Sequence, residues 1–145
     1  MQKKHSVIVI NDKNVNNIRN ICFETILIID FSETFEKDDI NKIFNNTKYL
    51  IINADLDNES FKIINDLNIN IITYGFNQKS TITASSVEEE LIICIQRKIR
   101  DINGKMIEPQ EIKVKRIGKK LSNNVHNLMG IASLLLIYGE KQLIF

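Results

Sequence analysis

Two polar residues follow an apolar run at a position where α/β proteins bind ligands. Asn53 and Asp55 come just after the apolar residues 49–52. In an open sheet of parallel strands, ligands bind beyond the carboxyl ends of the strands, so this carboxamide and carboxylate are candidate ligand-binding groups. Asn and Asp are also common in turns, because their side chains hydrogen-bond to nearby backbone. The sequence leaves both roles open.

Neither of the two histidines predicts a catalytic site. His5 lies near the amino terminus, and His126 has no acidic residue or second histidine close to it in the sequence. Histidines in catalytic and metal sites are commonly positioned and tuned by a neighbouring acid or a second ligand. We therefore expect His126 to be a surface or helix-cap residue, and we predict no catalytic residue and no metal ligand.

Charged clusters in the sequence favour solvated surfaces. Residues 88–90 are three consecutive glutamates, typical of a solvated turn, with cation binding as the alternative. The chain has 19 basic and 18 acidic residues, and this near balance argues against a nucleic-acid partner, since phosphate-driven affinity needs a basic excess. We predict that the densest basic group forms the polar face of a strand and loop, with anion or nucleic-acid binding as the alternative; its residues are Lys113, Lys115, Arg116, Lys119 and Lys120.

The first half of the chain predicts strands that alternate with helices. Continuous apolar runs are typical of parallel strands covered on both faces by helices. Residues 38–44 and 57–67 have apolar side chains at helical spacing, so the alternation predicts βαβ units. The predicted strands are residues 6–10, 25–29, 49–52 and 69–73.

The second half predicts an antiparallel section and a final helix. Residues 80–86, 90–99 and 111–115 are strand candidates, and the last of these places Ile112 and Val114 on one face. Asn103-Gly104 predicts a turn within residues 101–105. A helix over residues 124–138, ending at Gly139, would bury one side: Leu128, Ile131, Ala132, Leu135 and Leu136.

Together these patterns predict a single α/β domain over residues 1–145. It has a mostly parallel sheet flanked by helices (1–76), an antiparallel β section (77–120), and a C-terminal helix and tail (121–145). No leader sequence and no membrane-spanning run is present, so we expect a cytoplasmic protein without a membrane partner. Cys22 and Cys94 lie in apolar runs, which favours buried thiols over a disulfide.

The order of several motifs resembles the central, ATP-binding domain of the Mur ligases, which join amino acids to UDP-N-acetylmuramate. In that family, one strand ends in Asn-x-Asp-Asp, a later strand ends in a Tyr-Gly-Phe-like turn, and an Asn-rich segment of the form His-Asn-Val-x-Asn lies near the C-terminus. The similar segments here are residues 49–55 (YLIINAD), 71–76 (IITYGF), 81–84 (TITA) and 123–132 (NNVHNLMGIA).

The resemblance implies a nucleotide site. It places Asn124 and Asn127 near the nucleotide base, where an amide can donate to and accept from an adenine edge. The alternative is that the asparagines of this segment cap the final helix. The candidate nucleotide-binding residues are therefore Asn53, Asp55, Asn124 and Asn127.

The phosphate-binding chemistry of the family is missing. Its loop, Thr-Gly-Thr-Asn-Gly-Lys-Thr, surrounds phosphates with backbone N–H groups and supplies a lysine and an Mg²⁺-binding hydroxyl. Residues 11–17 stand in its place and contain no glycine, with Val15 and Asn16 where a glycine and the lysine should be. Asp30 remains where the family has an acid, but the histidine that follows it in the family is lost.

We therefore predict a non-catalytic, Mur-ligase-like binding or regulatory domain that lacks a phosphate loop and needs no cofactor. Its ancestry would link it to cell-wall synthesis in a bacterium. One alternative is an ATP-binding protein with residual ligase-type activity. Another is a self-assembling or partner-binding subunit whose apolar tail, residues 143–145, docks on a partner. The tail could equally pack on its own sheet.

Overall fold

The structure, a computed structural model, describes residues 6–13, 23–30, 37–44, 46–56, 62, 64, 67–87, 90–115 and 124–145. Predictions for other residues lie outside this part of the chain: His5, Cys22, Phe31, residues 14–17, most of 57–67, 88–89 and 116–123. The described elements are β1 (Val7–Ile10), β2 (Thr25–Ile28), α1 (Lys37–Ile43), β3 (Tyr49–Asn53), β4 (Asn70–Tyr74), β5 (Ile82–Val87), β6 (Glu90–Ile95), β7 (Ile99–Arg100), β8 (Met106–Ile107), β9 (Gln110–Lys115), α2 (Val125–Ile137) and β10 (Leu143–Ile144).

The chain divides into two compact units. The first takes the described residues up to 52 and those of 56–71, and the second takes residues 53–55 and the described residues from 72 onward. The predicted single domain and its three consecutive parts remain predictions.

In the first unit, β1, β2 and β3 are parallel neighbours. Ile26 of β2 lies opposite Ile8 of β1 and Leu50 of β3. Every residue of β2 and β3 is buried, as their continuous apolar runs predict for strands covered on both faces. β1 differs, because Val7 and Val9 are each more than a third exposed.

The helix α1 completes the core of the first unit. Asp38 and Asp39 lie in its first turn, where acidic side chains interact favourably with the helix dipole. The apolar residues at helical spacing, Ile40, Ile43 and Phe44, are buried as predicted. The core consists of Ile10, Ile26, Ile28, Ile40, Ile43, Phe44, Leu50, Ile52 and Ile64.

The second unit contains the predicted antiparallel section. β5 is parallel to β4 and antiparallel to β6, and β6 is antiparallel to β9. β7 and β8 form a small antiparallel sheet joined by the predicted turn. In that turn, Asp101 Oδ1 accepts the N–H groups of Asn103 (2.9 Å) and Lys105 (2.8 Å), and Gly104 has a φ of +83°.

The C-terminal tail packs on its own sheet. β10 is parallel to β9, with Leu143 opposite Val114, and Leu143 is buried. The N–H of Phe145 donates to the carbonyl of Lys115 at 2.8 Å. The structure therefore agrees with the interpretation in which the tail packs on its own sheet. Ile144 remains 45% exposed.

Charged side chains on β6 and β9 are exposed to solvent. This supports the prediction that the glutamates of residues 88–90 and the basic group that begins at Lys113 lie on solvated surfaces. Lys113 Nζ lies 2.9 Å from Glu90 Oε2, and both side chains are more than half exposed. Such an exposed ion pair contributes little to stability. Cys94, on the same strand as Glu90, is a free thiol that is only partly buried.

The helix α2 follows the predicted bounds closely, and three of the five residues predicted to face inward are buried: Leu128, Ala132 and Leu136. Gly139, with a φ of +90°, ends it as predicted, and its N–H donates to the carbonyl of Leu136. Ile131 is 36% exposed, so the prediction that it faces inward is wrong. Apolar residues occur nearly all around this helix, so periodicity alone does not choose the buried face. The buried residues are Leu128, Met129, Gly130, Ala132, Ser133, Leu136 and Ile137.

The α/β class of the predicted fold is confirmed. The chain is α/β, with a mostly parallel sheet, a small antiparallel sheet and a C-terminal helix. Within the described ranges, no helix has the length and apolar character needed to cross a membrane.

Candidate functional site

Three donors of the second unit surround the carboxylate of Asp55. Asp55 lies two residues after the end of β3. Its Oδ2 accepts the N–H of Phe76 at 2.7 Å, and its Oδ1 accepts the N–H of Asn77 at 3.2 Å. Nε2 of His126 lies 2.7 Å from Oδ2. One side chain therefore binds the turn that follows β4 and also the first turn of α2.

A glycine makes this approach possible. A Cβ atom added to Gly75 would lie 2.7 Å from Oδ2 of Asp55 and 2.8 Å from its Oδ1, closer than real Cβ contacts. The φ of Gly75 is +152°, a conformation that other residues rarely adopt. Both the close approach and the backbone conformation require glycine at this position. The contact with Asp55 therefore explains the glycine of the Tyr-Gly-Phe segment in this chain.

His126 has an acidic partner that the sequence does not reveal. Asp55 is separated from it by 71 residues, so no residue near His126 in the sequence indicates this partner. An ionised carboxylate can only accept, so Nε2 of His126 carries the hydrogen of this contact. The ring of Phe76 meets the imidazole edge-to-face at a centroid distance of 5.0 Å and an angle of 87°. The side chain of His126 is 33% exposed, and Phe76 is 55% exposed.

The electrostatic environment keeps Asp55 ionised. Burial by itself raises the pKa of this carboxyl group. The hydrogen bonds from Phe76, His126 and Asn77, together with the charge of His126, outweigh that effect, so the pKa lies below its usual value. The first turn of α2 contains no acidic residue of its own. Asp55 therefore supplies a negative charge at a helix N-terminus, where the helix dipole favours it.

Three of the four predicted ligand-binding residues have side-chain contacts within the chain: Asp55, as described above, Asn53 and Asn124. Asn53 is buried, and its Oδ1 accepts the N–H of Asp55 at 3.0 Å, which is a turn contact. Asn124 is the N-cap of α2, and its Oδ1 accepts the N–H of Asn127 at 3.3 Å. These are the turn and capping roles that the sequence leaves open. A ligand role for the same residues stays a prediction.

Asn127 differs from the other three. Its Oδ1 is buried and has no hydrogen-bond partner in the part of the chain that the structure describes. A buried acceptor without a donor is unfavourable, so a group that donated to it would be stabilised. Asn127 follows His126 in the first turn of α2, which places it in the same segment as the Asp55 contact.

The segment in place of the phosphate loop is described only in part. In the first unit, Asn11 Oδ1 accepts the N–H of Lys13 at 2.9 Å. That N–H is therefore bound to the chain's own side chain. Residues 14–17 lie outside the described residues.

Two cavities, one in each unit, are lined by residues other than the predicted site residues. A cavity of about 380 Å³ in the second unit is lined by Met106, Ile112 and Leu136 among others. A cavity of about 360 Å³ in the first unit includes Phe44 and Thr47 in its lining. Among the residues with described positions, no three His, Cys, Asp or Glu side chains form a group that could hold a metal ion.

No protein-family model matches this chain, and no curated protein matches it. The resemblance to the Mur ligases therefore depends on the sequence motifs alone.

Proposed function

We propose that this chain is a non-catalytic binding or regulatory domain with a Mur-ligase-like scaffold and an ancestral link to cell-wall synthesis. The observation that supports it most is the engagement of Asp55. Its carboxylate accepts two backbone N–H groups and contacts His126, all from its own chain. A general base or metal ligand needs oxygen atoms that face a substrate or an ion, whereas this carboxylate stabilises the scaffold.

The composition of residues 11–17 supports the same proposal. Transfer of a phosphoryl group depends on precise positioning and on neutralisation of its charge. This segment has no glycine, and its one cation, Lys13, stands at the wrong step for the family's lysine. We therefore propose that the protein works without a cofactor.

The proposed binding surface is the turn after β4 with the first turn of α2. Phe76 projects an exposed ring beside His126, and Asn77 follows it. Aromatic side chains with polar neighbours are enriched at the centres of protein interfaces. The proposed partner is a protein, either another chain or a second copy of this one, in the cytoplasm. The balanced charge supports a partner that is not a nucleic acid.

Retention of a partner by the intact chain tests this proposal. Wild-type protein and a Phe76→Ala variant serve as baits in the same extract. A partner that is held by the wild type and lost by the variant supports the proposal. Met106→Ala is the matched control, because Met106 is also an exposed apolar residue, at 42%. Equal retention by all three baits would contradict the proposed surface.

Nucleotide binding is the second candidate, and the unpartnered Oδ1 of Asn127 is the observation that favours it. The amino group of an adenine would supply the missing donor. Calorimetric titration with ATP, ADP and UDP-N-acetylmuramate, each with and without Mg²⁺, separates the two candidates. A Kd below about 100 μM, or about 5.5 kcal/mol, that Asn127→Leu abolishes and the exposed-surface control Asn41→Ala preserves would support the nucleotide role. Our first proposal predicts no saturable heat.

A further inference from the structure

The contacts of Asp55 join three segments that are distant in the sequence. The carboxylate belongs to the connection after β3, its two backbone donors follow β4, and its imidazole partner belongs to α2. All of these residues lie in the second unit. A change at either end of the Asp55–His126 contact is therefore transmitted directly to the N–H groups that Asp55 holds.

Both side chains of this contact can change charge. Hydrogen bonds between two ionised groups are shorter and stronger than those between neutral groups. With His126 protonated and Asp55 ionised, the contact has its full strength. When His126 loses a proton, it remains a donor but is neutral. When Asp55 gains a proton, its carboxyl oxygens become weaker acceptors for His126 and for the N–H groups of Phe76 and Asn77.

The charged groups around His126 are few in the described part of the chain. The connection after β3 contributes the carboxylate of Asp55 at 2.7 Å. The turn after β4 contributes the neutral ring of Phe76 and the backbone of Asn77. The first turn of α2 contributes no acidic side chain. Among the contacts that the structure shows for His126, Asp55 therefore provides the charged partner.

We propose that Asp55 and His126 form a pH-sensitive clasp that fixes the turn after β4 to the first turn of α2. The clasp is tight when His126 is protonated and loosens when His126 becomes neutral. Phe76 donates its N–H to Asp55, and its ring contacts the imidazole of His126. The position of the exposed Phe76 ring therefore depends on whether the clasp is tight or loose. The clasp itself is independent of the proposed function. Its use to regulate partner binding rests on that function.

The experiment follows the backbone amide signals of Phe76 and Asn77 and the ring of His126 by NMR in the full chain, from about pH 5 to about pH 8, the range in which histidines titrate. We expect the two amide signals to shift with the same midpoint as the imidazole ring. In His126→Gln, which keeps a neutral donor but does not titrate, the shifts of both amides should disappear. His5→Gln is the control, because it removes the only other histidine of the chain.

Two results would overturn the clasp. One is an amide signal of Phe76 and Asn77 that does not respond to pH in the wild type while the His126 ring titrates. The other is an unchanged amide titration in His126→Gln. If that variant fails to fold, the co-titration in the wild-type chain still decides, since it requires no substitution.

Partner retention at two pH values separates the clasp from the proposed function. If the amides co-titrate with His126 but no bait retains a partner through Phe76, the clasp holds and the proposed function fails. If Phe76 retains a partner and the amides do not respond to pH, the proposed function holds and the clasp fails. If both hold, retention should change about fivefold between pH 5.5 and pH 8, as a clasp contribution near 1 kcal/mol implies.

Discussion

Two aspartates of the second unit stabilise turns in different ways. Asp101 Oδ1 accepts the N–H groups of Asn103 and Lys105, which lie two and four residues away. Asp55 accepts N–H groups that lie 21 and 22 residues away and contacts His126 at a separation of 71 residues. The two hydrogen bonds at Asp101 Oδ1 are local, and the turn also contacts the last turn of α2, because the N–H of Ile102 donates to the carbonyl of Ile137 at 2.8 Å. The contacts of Asp55 form only when the segments around β3, β4 and α2 have come together.

This difference separates a local turn from a tertiary contact. The turn at Asp101 can form as soon as its five residues adopt their conformation. The contacts of Asp55 depend on the packing of α2, and they also depend on the charge of a histidine. A substitution of His126, in the first turn of α2, should therefore affect the turn after β4 and leave the hydrogen bonds of Asp101 Oδ1 unchanged.

The largest expected effect follows substitution of Gly75, and Gly104 in the turn at Asp101 serves as the comparison. Gly75→Ala places a methyl group 2.7 Å from the Asp55 carboxylate and strains the backbone, so we expect a loss of about 3 kcal/mol of unfolding free energy. A methyl group at Gly104 meets nothing within 4 Å, so Gly104→Ala should cost only about 1 kcal/mol for its positive φ. Urea unfolding of both variants measures the two costs. Equal losses would contradict the close approach at Gly75.

A double-mutant cycle tests the tertiary contact itself. Asp55→Asn and His126→Gln should be coupled by about 1 kcal/mol, because each removes one partner of the same partly buried ion pair. Asp101→Asn and His126→Gln form the matched cycle, and their effects on the free energy of unfolding should add. A coupling of similar size in both cycles would mean that His126 acts on the whole unit and not on Asp55.

The dependence of stability on pH gives a smaller effect with a defined sign. The folded state lowers the pKa of Asp55 below its unfolded value, so the ionised carboxylate stabilises the fold at pH values above the unfolded pKa, near 4. This contribution disappears as the pH falls through the folded pKa. The difference in unfolding free energy between the wild type and Asp55→Asn should therefore shrink between about pH 5 and about pH 2. A difference that grows on acidification would contradict the lowered pKa.

The smallest effect should follow Phe76→Ala. The turn is held by the backbone N–H of Phe76, which the variant keeps, and the exposed ring makes an edge-to-face contact with His126. We expect a loss of only about 0.5 kcal/mol in thermal unfolding. A loss as large as that of Gly75→Ala would show that the ring is mainly a structural element and would weaken its proposed role in partner binding.

Local patterns in the sequence predict much of this fold. Residues 25–28 and 49–53 are apolar at nearly every position because both faces of β2 and β3 are buried. Asn103-Gly104 predicts the turn at Asp101 because such a turn is determined by neighbouring residues. The buried face of α2 is predicted only in part, and Ile131 shows why: apolar side chains occur on several sides of the helix, and packing decides among them.

The candidate site was predicted less completely. Asn53 and Asp55 are identified by their position after a strand, and Asn124 by the resemblance to the Mur ligases, with helix capping as the alternative. The partnership of Asp55 with His126 gives no signal in a single sequence, since neither residue has a neighbour that indicates the other. The only local sign of the close approach is Gly75 within the Tyr-Gly-Phe segment, because a carboxylate against the backbone requires a residue without Cβ.

Hydrogen–deuterium exchange of four amides in the wild type and in His126→Gln tests the central claim most directly. The amides are those of Phe76 and Asn77, held by Asp55, and those of Asn103 and Lys105, held by Asp101. We predict that the substitution speeds exchange at Phe76 and Asn77 by about fivefold and leaves the other two unchanged. Unchanged exchange at all four amides, or an equal increase at all four, would contradict the account.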